Sequence, residues 1–339
     1  MHSRNHHADL AAPAPKDARL RRRVTQMRWG PLVARTLVGM AAAAATSLVL
    51  VGQFGRGHHT LDQFNSILSI LLPVLALALA GALRLRDRPS VAVAVLGLIV
   101  GGYQLGGAAL IGAGRTIPIS GPTLKVLTLS TFHANPSPEA IGQVVTAEAP
   151  DLALLQETNG AAARVVDALL PDYHRIRSCD RPHCTLTILS RWPIRRVKLK
   201  WPPHQARPDL VLGEVDAPMG PFSVMNVHMP RPYERKMQQL MAEGADLARA
   251  QGAKPLIVGG DFNTATGSFG LARFAQASGL RRFDGFIPTY PANRFVPAFA
   301  GIDHLFASKH WGRLGCRRLR AVQSDHYGVV CRIGLRAAE

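Results

Sequence analysis

Three long stretches without a charged side chain constrain this 339-residue sequence more than any other feature. They lie between Arg35 and Arg56, between Asp62 and Arg84, and between Arg88 and Arg115. A helix needs about 20 mostly apolar residues to cross the hydrocarbon core of a bilayer. The stretches therefore predict three membrane-spanning helices, at residues 36–54, 64–83 and 91–112. Buried helices of a soluble domain are the alternative, but such helices usually carry polar residues on one side.

Arginine residues beside these stretches predict the orientation in the membrane. Five arginines lie between positions 19 and 28, and three more lie in the second loop, residues 84–89. Because Lys and Arg are retained on the cytoplasmic side, the N-terminus and the second loop face the cytoplasm. Three crossings then place everything after Arg115 outside the cell membrane. A nucleic-acid-binding tail is the other reading of the arginine run, but a run directly before an apolar span is more often a topology signal.

Four segments follow from this pattern. They are a basic cytoplasmic tail (1–35), a three-helix transmembrane region (36–112), a Gly- and Pro-containing linker (113–123) and a single large domain (124–339). The formal net charge is +18, and 47% of the residues are hydrophobic, which excludes a disordered chain. The part after residue 115 is basic in its own right and favours anionic partners, namely nucleic acid, phospholipid headgroups or phosphate esters.

Apolar runs of strand length alternate with helical patterns in the large domain. Strands are predicted at 125–132, 151–156, 186–190, 211–215, 222–227, 255–258, 302–306 and 327–333, and helices at 138–148, 160–170 and 235–250. Strands this apolar need cover on both faces. The pattern therefore predicts packed β-sheets with helices outside them.

Acids, amides and histidines lie at the ends of these strands, where a carboxylate can hold a hard cation through oxygen. The candidates are Glu157, His228, Asp261, Asn263, Asp303, Asp325 and His326. Taken singly, each has an ordinary explanation, such as an exposed loop acid or an Asx turn. Side chains of adjacent strand residues diverge, so we expect Asp303, rather than Asp325, to be the carboxylate partner of His326.

Six segments together resemble the endonuclease/exonuclease/phosphatase superfamily of metal-dependent phosphodiesterases. They are Leu155-Gln156-Glu157, Ile188-Leu189-Ser190-Arg191, Asn226-Val227-His228, Gly260-Asp261-Phe262-Asn263, Ile302-Asp303-His304 and Ser324-Asp325-His326. They occur in the order of the family and cover about residues 124–335. The resemblance implies a DNase I-like α/β fold, a four-layer sandwich of two β-sheets flanked by helices, here preceded by three transmembrane helices.

The same resemblance implies a role for each candidate residue. Glu157 resembles the principal ligand of Mg²⁺ (or Mn²⁺), and Asp325 an additional carboxylate of the metal site. His326, oriented by Asp303, is the general base or a phosphate partner. Asp261 resembles the residue that holds or deprotonates the attacking water, and Asn263 the residue that binds the phosphate. His228 resembles a residue that binds the phosphate or protonates the leaving oxygen. Family members divide the base role differently, so the choice between His326 and Asp261 stays open.

One position departs from the family pattern. The first strand of the family usually carries an asparagine near the metal, and in this sequence Ser130 occupies the position at which we expect that asparagine. A serine coordinates metal less strongly, and Asn135, five residues on, is a substitute candidate.

The cysteines fit an extracytoplasmic domain. Cys179 and Cys184 predict a disulfide, with a zinc site that includes His183 as the alternative. Cys316 and Cys331 are expected to be simply buried.

The sequence predicts a membrane-anchored Mg²⁺-dependent phosphoesterase that hydrolyses phosphodiester or phosphomonoester bonds, with nucleic acid as one substrate. Hydrolysis of a phospholipid or sphingomyelin-type ester is the second reading, favoured by proximity to the bilayer. A non-catalytic membrane-tethered binding module on the same fold is the third, and the full set of acids and histidines argues against it.

Overall fold

The N-terminal region of this computed structural model is a bundle of three apolar helices. The structure describes residues 29–113, 119–179, 185–199, 209–293, 295–320 and 322–336, so most of the expected cytoplasmic tail lies outside it. The helices are α1 (Trp29–Gln53), α2 (Leu68–Leu85) and α3 (Arg88–Ala113). By length and composition, three helices, at Gly30–Arg56, His59–Leu85 and Arg88–Ala113, can cross a membrane. Helix α1 begins at Trp29, inside the segment 1–35 that was expected to be tail.

Small residues bring the three helices close together. Ala42, Ala78 and Ala94 form a buried cluster between them, as is common where helix backbones approach one another in a membrane. Thr46 Oγ1 donates a hydrogen bond to the Val93 carbonyl oxygen at 3.0 Å, which satisfies a polar group inside the bundle.

The connection between α1 and α2 is ordered and partly buried. This α1–α2 loop (residues 54–67) consists of the short helical segments Phe54–Arg56, His59–Asp62 and Gln63–Ile67. Its side chains Asp62 and Asn65 are buried. Asn65 Nδ2 donates to Asp62 Oδ1 at 2.8 Å and to the Gly52 carbonyl oxygen at 3.0 Å, so the loop is anchored to the end of α1.

Two six-stranded sheets form the second region. The first sheet has the order β11-β12-β1-β2-β4-β3 and the second the order β5-β6-β7-β8-β10-β9. The strands are β1 (Ile119–Ser130), β2 (Leu152–Gln156), β3 (His174–Arg177), β4 (Thr187–Ser190), β5 (Ile194–Arg196), β6 (Asp209–Ala217), β7 (Gly220–His228), β8 (Leu256–Asp261), β9 (Arg281–Arg282), β10 (Asp303–Ala307), β11 (Trp311–Arg318) and β12 (Val329–Arg336). Strand β1 begins inside the segment 113–123 that was predicted to be a linker.

Four layers result from the packing of helices on the outer faces of the two sheets. Helices α4 (Glu139–Glu148) and α5 (Gly160–Leu169) cover the first sheet, and their buried side chains pack with Leu155. Helices α6 (Met237–Ala250) and α7 (Phe269–Ser278) cover the second sheet and pack with Val258. A third core, which contains Leu154, lies between the sheets. The predicted α/β sandwich flanked by helices and preceded by three long apolar helices is confirmed.

The cysteines correct one expectation. Cys316 and Cys331 are not simply buried but form a disulfide, because they face each other in register on β11 and β12 with Cα atoms 4.0 Å apart. Cys179 also takes part in a disulfide. Cys184 and His183 lie outside the described residues, so the Cys179–Cys184 pairing stays a prediction.

The register of the second sheet gathers polar residues in one row. Strands β6, β7, β8 and β10 are neighbours, and across them Asp209 pairs with His228, His228 with Asp261, and Asp261 with Asp303. Gly260 makes the close approach of β7 and β8 possible. It has a φ of 147°, and a Cβ atom there would lie 1.9 Å from the Val227 carbonyl oxygen. The glycine therefore serves strand packing beside the row.

Candidate active site

Glu157 reaches the same row from the first sheet. It follows β2 directly and has a positive φ of 56°, a conformation that costs energy in a residue other than glycine. Its Oε2 accepts hydrogen bonds from the His133 backbone N at 2.8 Å and from His133 Nδ1 at 3.0 Å. Burial alone raises the pKa of Glu157, but these hydrogen bonds and the charge of His228 outweigh it and lower the pKa overall. Glu157 is therefore a carboxylate at neutral pH.

His133 is a site residue that the sequence analysis missed. It lies three residues beyond the end of β1, in a stretch where attention fell on Ser130 and Asn135. The available signal is its position at the carboxyl end of a strand that neighbours β2. Its two hydrogen bonds orient Glu157 towards the cavity.

His326 lies between two carboxylates. Its Nδ1 donates to Asp303 Oδ2 at 2.9 Å, and its Nε2 lies 3.7 Å from Asp261 Oδ2. The Tyr290 ring covers the imidazole at a centroid distance of 5.2 Å. Burial lowers the pKa of His326, but the charges of Asp303 and Asp261 more than offset this and raise it to about 10. His326 is therefore an imidazolium at neutral pH.

Asp261 is buried at the centre of the row. Burial raises its pKa to about 6, against the lowering effect of the nearby His326 and His228. Its Oδ1 accepts a hydrogen bond from the Asn263 backbone N at 2.8 Å, while Oδ2 lies 3.7 Å from His228 Nε2. This carboxylate can therefore exchange a proton near neutral pH.

His228 and Asn263 complete the wall beside Asp261. His228 Nε2 lies 3.8 Å from Glu157 Oε1, so this ring stands between the two carboxylates. Asn263 Nδ2 donates to the Met229 carbonyl oxygen at 2.8 Å, which fixes its side chain.

Three further residues named in the sequence analysis, Asn226, Ser130 and Asn135, lie near the candidate site. Asn226 is fully buried and ties the two sheets together, since its Oδ1 accepts from Gln156 Nε2 at 2.6 Å and its Nδ2 donates to the Leu155 carbonyl oxygen at 2.9 Å. Ser130 Oγ is buried without a hydrogen-bond partner among the described residues. Asn135 does not substitute for it, because its side chain bonds the Ser137 backbone N and the Thr131 carbonyl oxygen.

A cavity of about 700 Å³ is lined by Glu157, His228, Asp261, Asn263 and His326. Among the residues that the structure describes, its lining contains one arginine, Arg231, and five carboxylates, which are Glu157, Asp209, Glu234, Asp261 and Asp325. Although the chain as a whole is strongly basic, this cavity is acidic. An anionic substrate would be repelled from it unless a cation were present.

Asp209 is a second residue that the sequence analysis missed. It opens β6 beside His228, burial raises its pKa, and its carboxylate accepts a hydrogen bond from Thr185. No strand pattern precedes it in the sequence, and residues 200–208 lie outside the described part of the chain.

The oxygen-rich lining fits a hard divalent ion. Asp261, Asp303 and His326 offer ligand atoms within 4.8 Å of one another, a grouping found among the described residues. A protonated His326 has no free ring nitrogen for a metal, so within this grouping only the carboxylate oxygens are available to an ion. Asp303 Oδ1 is buried and has no hydrogen-bond partner there. Carboxylate oxygens of this kind are the ligands that Mg²⁺ and Mn²⁺ prefer.

Ser66 and Ile67 also line this cavity. Both belong to the α1–α2 loop, whereas sequence reasoning placed every site residue in the large domain. The helical region therefore supplies part of the wall of the candidate active site.

Solved structures share this fold at low sequence identity. An endonuclease/exonuclease/phosphatase from Beutenbergia cavernae is 22% identical with a TM-score of 0.51, over 64% of this chain and 72% of that one. A protein of the same description from Bacteroides vulgatus is 16% identical with a TM-score of 0.53, over 63% and 100% of the two chains. TDP2 of D. rerio, complexed with a single-strand DNA product, is 15% identical with a TM-score of 0.50, over 62% and 99%.

The sequence comparisons give the family directly. No curated protein sequence matches this chain. The sequence profile of the Endonuclease/Exonuclease/phosphatase family matches residues 123–326, which is more than half of the chain. The resemblance carried by the strand-end residues is thus confirmed, and the chain belongs to the Endonuclease/Exonuclease/phosphatase family of phosphoester hydrolases.

Proposed function

We propose that this protein is a membrane-anchored, Mg²⁺- or Mn²⁺-dependent hydrolase of phosphate esters, with its active site on the outer side of the cell membrane. The observation that carries the proposal is the acidic cavity lined by His326, whose ring donates a hydrogen bond to the buried Asp303. Such a cavity repels a phosphate ester by itself, so a divalent ion and a protonated histidine are both needed to attract one.

Glu157 and Asp325 are the proposed metal ligands. Glu157 is ionised and oriented by His133, and Asp325 lines the same cavity. When bound, the ion would offset negative charge on the phosphoryl oxygens. Ser130 occupies the position at which the family usually has an asparagine, and its hydroxyl is a weaker metal ligand. Its Oγ has no hydrogen-bond partner among the described residues, which leaves it available to the ion.

The protein side chains divide the proton transfers according to their charge states. His326, an imidazolium held by Asp303, donates a hydrogen bond to a phosphoryl oxygen. Asp261, whose pKa lies near 6, accepts the proton of the attacking water. His228 lines the cavity beside Asp261, where it binds the phosphate or protonates the leaving oxygen. The amide of Asn263 binds the phosphate. On this proposal Asp261, rather than His326, is the general base.

The three apolar helices support the membrane location. Arginines of the N-terminal segment and of the α2–α3 connection favour a cytoplasmic N-terminus, and three crossings then leave the catalytic domain outside. We propose that residues 124–339 are the catalytic domain and 36–112 the anchor.

Nucleic acid is the rival substrate to a lipid ester. The domain is basic outside its cavity, which favours a polyanion, and the similar fold of TDP2 accommodates a single-strand DNA product. A steep fall of activity with salt would support this alternative.

The test uses the full-length protein in detergent and the diester bis(4-nitrophenyl) phosphate. We expect hydrolysis that requires Mg²⁺ or Mn²⁺, is abolished by EDTA, and falls by about 10²-fold or more in Glu157→Gln. Glu139→Gln, an exposed acid at the start of α4, is the matched control and should retain activity. Turnover that survives both EDTA and Glu157→Gln would disprove the proposal.

A further inference from the structure

The catalytic domain is fixed to the helical bundle through the α1–α2 loop. Asp62 in this loop accepts hydrogen bonds from Ser268 Oγ at 2.7 Å, Phe269 N at 2.9 Å and Gly270 N at 2.7 Å. A carboxylate at the N-terminus of a helix satisfies free backbone N–H groups and interacts favourably with the helix dipole. Besides its own N-cap residue Ser268, whose Oγ accepts from Gly270 N at 3.1 Å, α7 is therefore capped by a residue more than 200 positions earlier in the chain.

Contacts from α2 and α3 hold the same face of the domain. Ser69 Oγ donates to the Phe299 carbonyl oxygen at 2.6 Å, and Gln104 Nε2 donates to the Gly267 carbonyl oxygen at 2.7 Å. Gly267 allows this close approach, since a Cβ atom there would lie 3.1 Å from Leu68 Cδ1. The domain is thus docked on the bundle by several elements and does not hang from a single linker.

This docking sets the height of the active site relative to the bilayer. Arg35 Nη2 donates to the Leu85 carbonyl oxygen at 2.9 Å, which marks one level on the cytoplasmic side of the bundle. The hydrocarbon core is about 30 Å thick, or about 20 residues of helix. Counted from Arg35, Leu85 and Arg88, the outer boundary lies at about residues 55, 65 and 108.

The active-site cavity opens at that boundary. Ser66 and Ile67, which line it, are in the α1–α2 loop and follow the calculated level at residue 65 by one and two positions, so they lie just on the hydrocarbon side of the boundary. Phe299, which bonds Ser69, lines it as well. The cavity that contains Glu157 and His326 is therefore walled on one side by residues at the bilayer surface.

Aromatic and aliphatic side chains are exposed around the same cavity. Tyr233 is 60% exposed and Tyr290 38% exposed, and both line the cavity. Phe295 is 79% and Val296 46% exposed, in the segment that leads from Tyr290 to Phe299. Exposed aromatic residues of this kind are typical of protein surfaces at the membrane–water interface.

From this placement we propose that the substrate is a lipid, a phosphate ester whose hydrocarbon chain stays in the outer leaflet while its phosphate enters the cavity past Ile67 and Phe299. The inference rests on the proposed hydrolase function and specifies its substrate class. A nucleic-acid duplex would have to approach the cavity along phosphate-bearing headgroups, which repel it. A lipid phosphate, in contrast, already lies at the level of the cavity mouth.

The experiment compares two esters with the same reacting group. The full-length protein is reconstituted in phosphatidylcholine vesicles with Mg²⁺ and is given hexadecyl 4-nitrophenyl phosphate in the bilayer or ethyl 4-nitrophenyl phosphate in water. We expect the hexadecyl ester to be hydrolysed about 10-fold faster or more at equal total concentration, because the bilayer raises its effective concentration at the site. We also expect its rate to fall when added phosphatidylcholine dilutes it in the membrane.

The variant Ile67→Asp tests the route. A charge on this wall should lower the ratio of hexadecyl to ethyl turnover several-fold, whereas Ile67→Val should keep it. The ratio is internal to each preparation, so a smaller folded fraction does not change it. An unchanged ratio in Ile67→Asp would overturn the inference, as would faster hydrolysis of the ethyl ester or of plasmid DNA by the unmodified protein. If the unmodified protein cleaves neither ester nor DNA with any divalent metal, the proposed hydrolase function itself fails.

Discussion

Replacement of Asp261 by asparagine should stabilise the protein while it destroys the proposed base. The Asp261 side chain is only 2% exposed, and burial raises its pKa from 3.8 to about 6. A carboxylate with a raised pKa is a stronger base than an ordinary carboxylate. Its ionised form, however, lowers the free energy of unfolding. Functional sites often keep such a cost because the chemistry needs it.

The size and pH dependence of the cost follow from the two pKa values. The difference between 3.8 and about 6 corresponds to about 3 kcal/mol. Because the folded-state pKa is raised, the full penalty applies above pH 6, shrinks as the pH falls from about 6 to 3.8, and vanishes below both values. Asparagine cannot ionise, so Asp261→Asn should be more stable by about 3 kcal/mol at pH 8 and by only about 1 kcal/mol at pH 4.5.

Thermal unfolding of the full-length protein in detergent measures this difference. EDTA is included, since a bound cation would stabilise the carboxylate and hide the penalty. For a domain of this size we expect the Tm of Asp261→Asn to exceed that of the unmodified protein by roughly 6–12 °C at pH 8. Asp172→Asn, an exposed acid outside the cavity, should show no such gain. An Asp261→Asn protein that is equally or less stable at pH 8 would refute the reasoning.

Two further perturbations separate catalysis from docking. His326→Gln should lower kcat by about 10²–10³-fold at saturating Mg²⁺, because the charged donor to the phosphoryl oxygen is lost; a kcat within a few-fold of normal would exclude that role. Asp62→Ala should destabilise α7 by about 1 kcal/mol, because Phe269 N loses its side-chain acceptor and Gly270 N keeps only Ser268 Oγ. Hydrogen exchange at Phe269 and Gly270 measures it, and unaltered protection would show that the cap does not hold the helix.

The layers of the fold, and the position of several candidate site residues at strand ends, were predictable because they depend on local patterns. Apolar runs of strand length are buried on both faces in either sheet, and the residue that follows such a run lies at its rim. Glu157 and His228 directly follow their predicted runs and Asp261 ends β8, so strand ends indicated where these candidate residues gather. The uncharged stretches indicated the three helices in the same direct way.

What escaped prediction depends on contacts between distant parts of the chain. Asp209 has no strand pattern before it, and only its pairing with His228 in register shows that it belongs to the site. His133 acts through a hydrogen bond to Glu157 that no spacing encodes. The Cys316–Cys331 disulfide required the register of β11 and β12. Pairings of this kind are set by tertiary structure and leave no periodic signal in a single sequence.

On the proposed membrane location, the same contacts give a reason for three helices where one would anchor the domain. A single span joined by a linker leaves the height of an active site variable. Here the α1–α2 loop, α2 and α3 each bond the domain, through Asp62, Ser69 and Gln104. Each hydrogen bond contributes about 1 kcal/mol, so no one of them fixes the domain, but bonds from separate elements resist rotation about any single contact. A bundle that presents all three elements on one surface therefore holds Ile67 against the cavity lined by Glu157 and His326.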